Sequence, residues 1–219
     1  MAERRKIMSE RIVNIKSGDV MLEGQLSCPE DGGLHAAVVI CHPHPMHGGD
    51  MYNNVVEAVY WELTKRSIVA LRFNFRGVGN SGGTADDSIG HGKDVGAAID
   101  FLLTIGGVDG ARIGVVGYSY GAATALRYVP GDERVKAIAM VSPAIAVLIN
   151  DPIMQYDKPK FFISGDRDGV VPAHKFQYLI DNIAESKSHR LVAGVDHFWS
   201  HHEDVMAEAV LSFLNDVLV

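Results

Sequence analysis

The sequence predicts an α/β fold: a mostly parallel, twisted sheet of about eight strands with helices on both faces. Three observations predict it. Short apolar runs alternate with helical stripes along most of the chain. One run, Ala36–Cys41, is continuously apolar, as a strand covered on both faces must be. No internal repeat, low-complexity segment or Pro/Ser linker divides the 219 residues. That length exceeds an average domain but suits a single α/β domain. We expect residues 1–10 to form an N-terminal extension and residues 11–219 to form one domain.

The elements follow in order. Ile12, Ile15 and the stretch Val20–Leu26 read as two strands around Ser17-Gly18-Asp19, a hairpin signal that places antiparallel strands at one edge. Ala36–Cys41 is the central strand. Val55, Val56, Val59 and Leu63 have helical spacing. A strand over Ile68–Phe75 and a helix over Asp94–Leu103 come next, then a strand at Arg112–Val116 and a helix from about Gly121. Strands at Val135–Val141, Lys160–Ser164 and Arg190–Ala193 follow, with a helix over Pro172–Ile183 between the last two. The final helix has Ser200 and Glu203 at capping-box spacing. Its apolar face is expected to be Val205, Met206, Ala209, Val210, Phe213, Leu214 and Val217.

Composition narrows the function. Apolar residues at 47% and charged residues at 21% describe a globular chain, not a disordered one. A net charge of -7 argues against nucleic acid, whose binding rests on Lys and Arg displacing counterions. The longest apolar runs are about six residues against about 20 needed to cross a bilayer, so no membrane association is expected. The start, MAERRKIMSE, lacks the apolar core of a secretory signal. Two cysteines, Cys28 and Cys41, make no disulfide framework, which fits a cytoplasmic location.

In parallel sheets, sites gather at the carboxyl ends of the strands. Gly117-Tyr118-Ser119-Tyr120-Gly121 lies there, after an apolar strand and before the small residues Ala122, Ala123 and Ala125. A serine on so tight a turn takes a strained backbone. Side chains two residues before and after it would collide, so both positions want glycine. Ser119 is the candidate nucleophile, beside a helix N-terminus that favours negative charge.

A serine hydroxyl needs a base. In such sheets the order is serine, acid, histidine. After the strand at Lys160–Ser164 come Asp166 and Asp168. Asp168 stands just before Val170-Val171-Pro172 and is favoured as the acid, while Asp166 can brace the turn. His197, in Gly194-Val195-Asp196-His197-Phe198, is the candidate base. His174, His189, His201 and His202 are expected at the surface. An oxyanion also needs N–H donors. One is expected from Tyr120. The other should come from His42-Pro43-His44-Pro45-Met46-His47-Gly48-Gly49, where Pro43 and Pro45 have no N–H. His44 is favoured and Met46 is second. The same three histidines raise a metal reading, but no carboxylate or cysteine at metal-ligand spacing supports it, and no metal or other cofactor is expected.

Taken together, HPHPMHGG, RFNFRGVGNS at Arg72–Ser81, GYSYG, GDRDGVVP and GVDHF resemble the α/β-hydrolase superfamily from about His35 to the C-terminus. Within it, the chain resembles the small bacterial hydrolases without a lid, of the carboxylesterase and dienelactone-hydrolase-like kind. The resemblance implies an α/β-hydrolase fold, a nucleophile elbow at Ser119, and a catalytic triad of Ser119, Asp168 and His197. It implies oxyanion donors at Tyr120 and around His44. Arg76 is expected to be a structural ion-pair partner. One departure from the family pattern stands out: His91 lies where relatives often carry an acidic residue, which leaves the partner of Arg76 open, with Asp86, Asp87 and Asp94 as the substitutes.

The segment from about Ser142 to Lys158 is too short for a lid domain, although Ala144–Ile149 suits a short helix on the rim. An open, shallow pocket follows, with Met46, Tyr118 and Phe198 as substrate-binding candidates and Trp199 as a further wall residue. The expected activity is hydrolysis of small carboxylic esters through an acyl-enzyme. A peptidase or thioesterase using the same residues, or a non-catalytic binding protein on this fold, are the alternatives. The expected partner is a small-molecule ester; a homodimer is left open.

Overall fold

The computed structural model describes residues 8–144 and 152–219. Its strands are β1 (Met8–Ser17), β2 (Val20–Pro29), β3 (His35–Cys41), β4 (Val69–Phe73), β5 (Val108–Tyr118), β6 (Val135–Val141), β7 (Lys160–Gly165) and β8 (Lys187–Val192). Its main helices are α1 (Asn54–Lys65), α2 (Ser88–Leu103), α3 (Tyr120–Tyr128), α4 (Ala173–Asn182) and α5 (Glu203–Leu218). The eight strands form one sheet in the order β1-β2-β4-β3-β5-β6-β7-β8. β1 with β2 and β2 with β4 are antiparallel; every other pair is parallel.

The hairpin turns at Gly18-Asp19, with Gly18 at φ 60°. A positive φ at the first of two turn residues is the glycine-dependent geometry that matches strand twist. β1 begins at Met8, which pairs with Pro29. Residues 8–10 therefore belong to the sheet, although the sequence reading placed them in the extension.

Each face of the sheet carries its own core. Residues of α2, α3 and α4 bury one face, including Val95, Ile99, Leu126 and Phe176. α1 and α5 bury the other, with Val56, Val59, Tyr60, Val210 and Leu214 against Val38, Ile40 and Ala139. Fully burying side chains of this kind is worth about 1.5–3 kcal/mol each. α5 presents a slightly rotated face: Met206, Ala207, Val210, Leu211, Leu214 and Leu218 are buried, while Val205 and Val217 stay partly exposed. Its expected capping box does not form. The helix starts at Glu203 with His202 as N-cap. The Glu203 carboxylate instead accepts a hydrogen bond from Asn54 Nδ2 at 2.9 Å.

α2 begins six residues before the expected Asp94. Gly90 and Gly92 weaken helix propensity there, but Asp87 caps the end by accepting the Gly90 N–H at 2.8 Å. A side chain at position 90 would overlap the Arg76 guanidinium and the Asp87 carboxylate. Arg76 donates to Asp94 and to Asp87, each at 2.7 Å. Asp94, fully buried, also accepts from the Ser17 hydroxyl at 2.7 Å and from the Arg76 N–H at 3.0 Å. This one carboxylate ties the hairpin, the turn after β4 and α2 together, so His91 is not needed as a partner. Replacing Asp94 with Ala should cost about 3 kcal/mol, because the guanidinium keeps Asp87 as its one carboxylate, beside the Ser17 hydroxyl at 3.3 Å, in a nearly buried setting. A lower urea midpoint at unchanged slope is the expected readout.

β6 ends at Val141 and β7 begins at Lys160, too close to admit a lid domain. The rim segment Ala144–Ile149 falls, apart from Ala144, outside the described residues.

Candidate active site

Ser119 joins β5 to α3 at φ 52° and ψ −112°. A non-glycine residue at positive φ is strained, and here neighbouring structure imposes it. The Ser119 N–H donates to Val141 O at 2.9 Å, pinning the turn to β6. The flanking glycines are required, but not because they face each other. A side chain at Gly117 would overlap the backbone of Gly121 and Ala122, and one at Gly121 would overlap the carbonyls of Cys41 and His42. The turn is thus pressed onto its own helix and onto the end of β3.

The structure brings the three expected residues together. His197 Nε2 lies 3.0 Å from Ser119 Oγ, and His197 Nδ1 lies 2.8 Å from Asp168 Oδ2. A carboxylate only accepts, so Nδ1 carries the proton and Nε2 is free to accept from the Ser119 hydroxyl. Asp168 Oδ1 accepts the N–H groups of Val170 at 2.9 Å and Val171 at 2.7 Å. Burial opposes ionisation of Asp168, yet hydrogen bonds from His197, the Val171 N–H and the Ser142 hydroxyl hold its carboxyl below the usual range. Asp166 has a different task. It is exposed and accepts the Gly194 N–H at 2.7 Å, bracing the turn that leads to His197.

The histidine loop is fixed from three elements. The Tyr118 hydroxyl donates to His197 O at 2.8 Å. Asn54 of α1 donates to Phe198 O at 3.0 Å. The Trp199 indole donates to Ser142 Oγ at 3.1 Å. Tyr118 is 3% exposed, so it braces this loop and does not line a pocket wall, contrary to the sequence expectation. Its side chain follows β5 inward because strand residues alternate faces. Trp199, fully buried, is likewise core. Met46 and Phe198 are 65% and 63% exposed, and the Phe198 ring packs edge-on against the His197 ring at 5.8 Å. Ser142 and Ser164, the latter at 3.5 Å from Asp168 Oδ2, were missed by the sequence reading. Their only signal was their place at strand ends beside the site.

Among the described residues, the N–H groups of Tyr120 and His44 donate to no protein group. The Met46 N–H does: it donates to His44 Nδ1 at 3.1 Å, which removes the second candidate donor. His42 is fully buried and uses both ring nitrogens, donating from Nδ1 to Pro43 O at 2.7 Å and accepting the Phe75 N–H at Nε2 at 3.0 Å. With both nitrogens engaged it has none to give a metal, and no cluster of three potential ligands occurs among the described residues. Desolvation lowers the His42 pKa to about 4 from 6.5. Between those values the unfolded chain holds a proton that the folded one refuses, so stability falls as pH drops through that window. The expected result is a declining urea midpoint from pH 6.5 towards 4, and a flat profile would contradict it.

This fold and this strand-end serine define an α/β hydrolase. An alpha-beta serine hydrolase homologue from Coxiella burnetii superposes with a TM-score of 0.82 at 27% identity, over 94% of this chain and 98% of that one. A serine hydrolase without a lid from Xanthomonas campestris gives 0.82 at 21% identity, over 95% and 94%. An uncharacterised Rickettsia prowazekii protein is 30% identical over 206 residues, which cover 88% of this chain and 84% of that one. The family model of the dienelactone hydrolases matches residues 85–209, and the chain belongs to that family. It is a hydrolase by family and fold, and among the described residues no helix is long and apolar enough to cross a membrane.

Proposed function

We propose that this hydrolase cleaves small carboxylic esters, with Ser119 as nucleophile, His197 as general base and then acid, and Asp168 as the group that orients His197. The observation that carries the reading is the continuous hydrogen-bonded chain from Asp168 Oδ2 through His197 to Ser119 Oγ, at 2.8 and 3.0 Å. Ser119 Oγ attacks the ester carbonyl as its proton passes to His197 Nε2. The carbonyl oxygen becomes an oxyanion facing the Tyr120 and His44 N–H groups. Collapse expels the alcohol, which takes the proton from His197 and leaves an acyl-enzyme. Water, deprotonated by His197, then releases the acid. Asp168 stays ionised throughout and stabilises the imidazolium.

The short β6–β7 connection and the exposed Met46 and Phe198 favour small acyl groups over long chains, which need an apolar tunnel or lid. We place the enzyme in the cytoplasm, in keeping with its few cysteines. The test combines two measurements. An organophosphonate should label Ser119 stoichiometrically, and hydrolysis of p-nitrophenyl esters should fall from acetate to laurate. Failure to label would favour a non-catalytic binding role. Labelling with no hydrolysis of any ester would move the reading to a thioester or peptide bond.

A further inference from the structure

We propose that His91 is a positioning residue for the oxyanion-binding side of the site and acts through the Tyr120 phenol. The inference rests on the reading of Ser119, Tyr120 and His44 given above. The two N–H donors sit on separate segments, the first turn of α3 and the loop after β3. A developing oxyanion is stabilised only if both are held at the right separation.

The bonds around His44 hold the shape of the loop, and Met51, which donates to Asn74 Oδ1 at 2.8 Å and accepts from Arg72 at 3.0 Å, fixes its far end. His47 and Gly49 both donate to His44 O at 3.0 Å, and Met46 donates to the His44 ring. His42 and Cys41 abut the elbow at Gly121, which fixes the beginning of the loop. At His44 itself, the contact across to the elbow is between side chains: the His44 and Tyr120 rings lie 4.4 Å apart. The Tyr120 ring is therefore the spacer between the donors, and its own position has to be set.

His91 sets it. The residue is 1% exposed, and its Nδ1 lies 2.7 Å from the Tyr120 hydroxyl. The Phe75 ring packs at 4.9 Å from His91 and 4.7 Å from His42, filling the space behind both. His91 rides on α2, whose first turns are locked by Asp87, Arg76 and Asp94. A rigid element thus reaches across to hold a phenol, and the phenol holds the donor loop. This gives a use for the histidine at the position where an acidic residue was expected. An ionised carboxylate there could only accept from the phenol, and it would add a third negative charge beside Asp87 and Asp94.

The test compares His91→Leu, His91→Asn, Tyr120→Phe and the Leu/Phe double variant with the wild type on p-nitrophenyl acetate, with Ser119→Ala alongside. Leu removes the bond at similar volume, whereas the Asn amide lies close to where the imidazole Nδ1 was. His91→Leu and Tyr120→Phe should each lower kcat about tenfold at unchanged KM, the loss expected of a small misplacement near reacting atoms. The double variant should be no worse than either, and His91→Asn should recover most of the rate. A wild-type kcat in Tyr120→Phe, an effect on KM alone, or additive losses in the double variant would overturn the inference. If His91→Leu does not fold, Tyr120→Phe decides, since it removes one oxygen. An inactive Ser119→Ala beside a normal kcat in Tyr120→Phe sinks this inference alone. An active Ser119→Ala sinks the site reading and this inference with it.

Discussion

Ser119→Ala is expected to reduce ester turnover by about 10⁶-fold, the loss seen when comparable triads lose their nucleophile. The change deletes the atom that forms the acyl-enzyme, and nothing nearby replaces it. Among the described residues, His197 Nε2 has Ser119 Oγ as its hydrogen-bond partner, and the cysteine near the elbow, Cys41, is buried in β3 with its thiol pKa pushed well up by burial. The fold should survive. Alanine tolerates φ 52° no worse than serine, and the pinning bond from residue 119 to Val141 O uses the backbone N–H. The measurement is kcat/KM on p-nitrophenyl acetate together with the thermal midpoint. Loss of activity at an unchanged midpoint is the expected pair of results. Substantial residual turnover would end the covalent mechanism.

Asp168→Asn is expected to cost about 10⁴-fold, and its geometry says why. The N–H groups of Val170 and Val171 both point at Oδ1, so the amide oxygen must take that place. The amide nitrogen then occupies the Oδ2 position, 2.8 Å from His197 Nδ1, and donates to it. That forces the imidazole proton onto Nε2, which faces Ser119 Oγ and can no longer accept its proton. The isostere keeps the packing and reverses the tautomer. The loss should fall on kcat with KM little changed, and phosphonate labelling of Ser119 should slow in parallel. An Asn variant at near wild-type rate would mean that Asp168 only braces its loop.

Much of the site was legible in the chain because its requirements are local. The elbow needs a glycine two positions before and two positions after Ser119, and those needs fall within five consecutive positions. Asp168 and His197 each follow a recognisable strand, in the order that this type of sheet imposes. The α2 start was not legible, because Gly90 and Gly92 look like helix breakers; only the structure shows that Arg76 and Asp87 occupy the space a side chain at Gly90 would need. The capping box at Ser200 was legible and absent, since Asn54 from α1 takes the Glu203 carboxylate. Tyr118 was read as a pocket wall because its place beside Ser119 says nothing about which way the strand turns it.

By itself the sequence determined the class of fold, the strand-end positions of Ser119, Asp168 and His197, and the two prolines that limit the oxyanion loop. These follow from backbone sterics and from apolar periodicity, which act over a few residues. Only the tertiary structure decided which aspartate faces His197, which loop N–H groups stay free, and that Arg76 pairs with Asp94 and Asp87. It also decided that His91 meets Tyr120, that Tyr118 meets the His197 carbonyl, and that Asn54 meets Phe198. These partners lie 29, 79 and 144 residues apart. No local pattern encodes such pairs; they exist because the sheet order brings distant segments to one edge, where most buried polar groups are held by a partner.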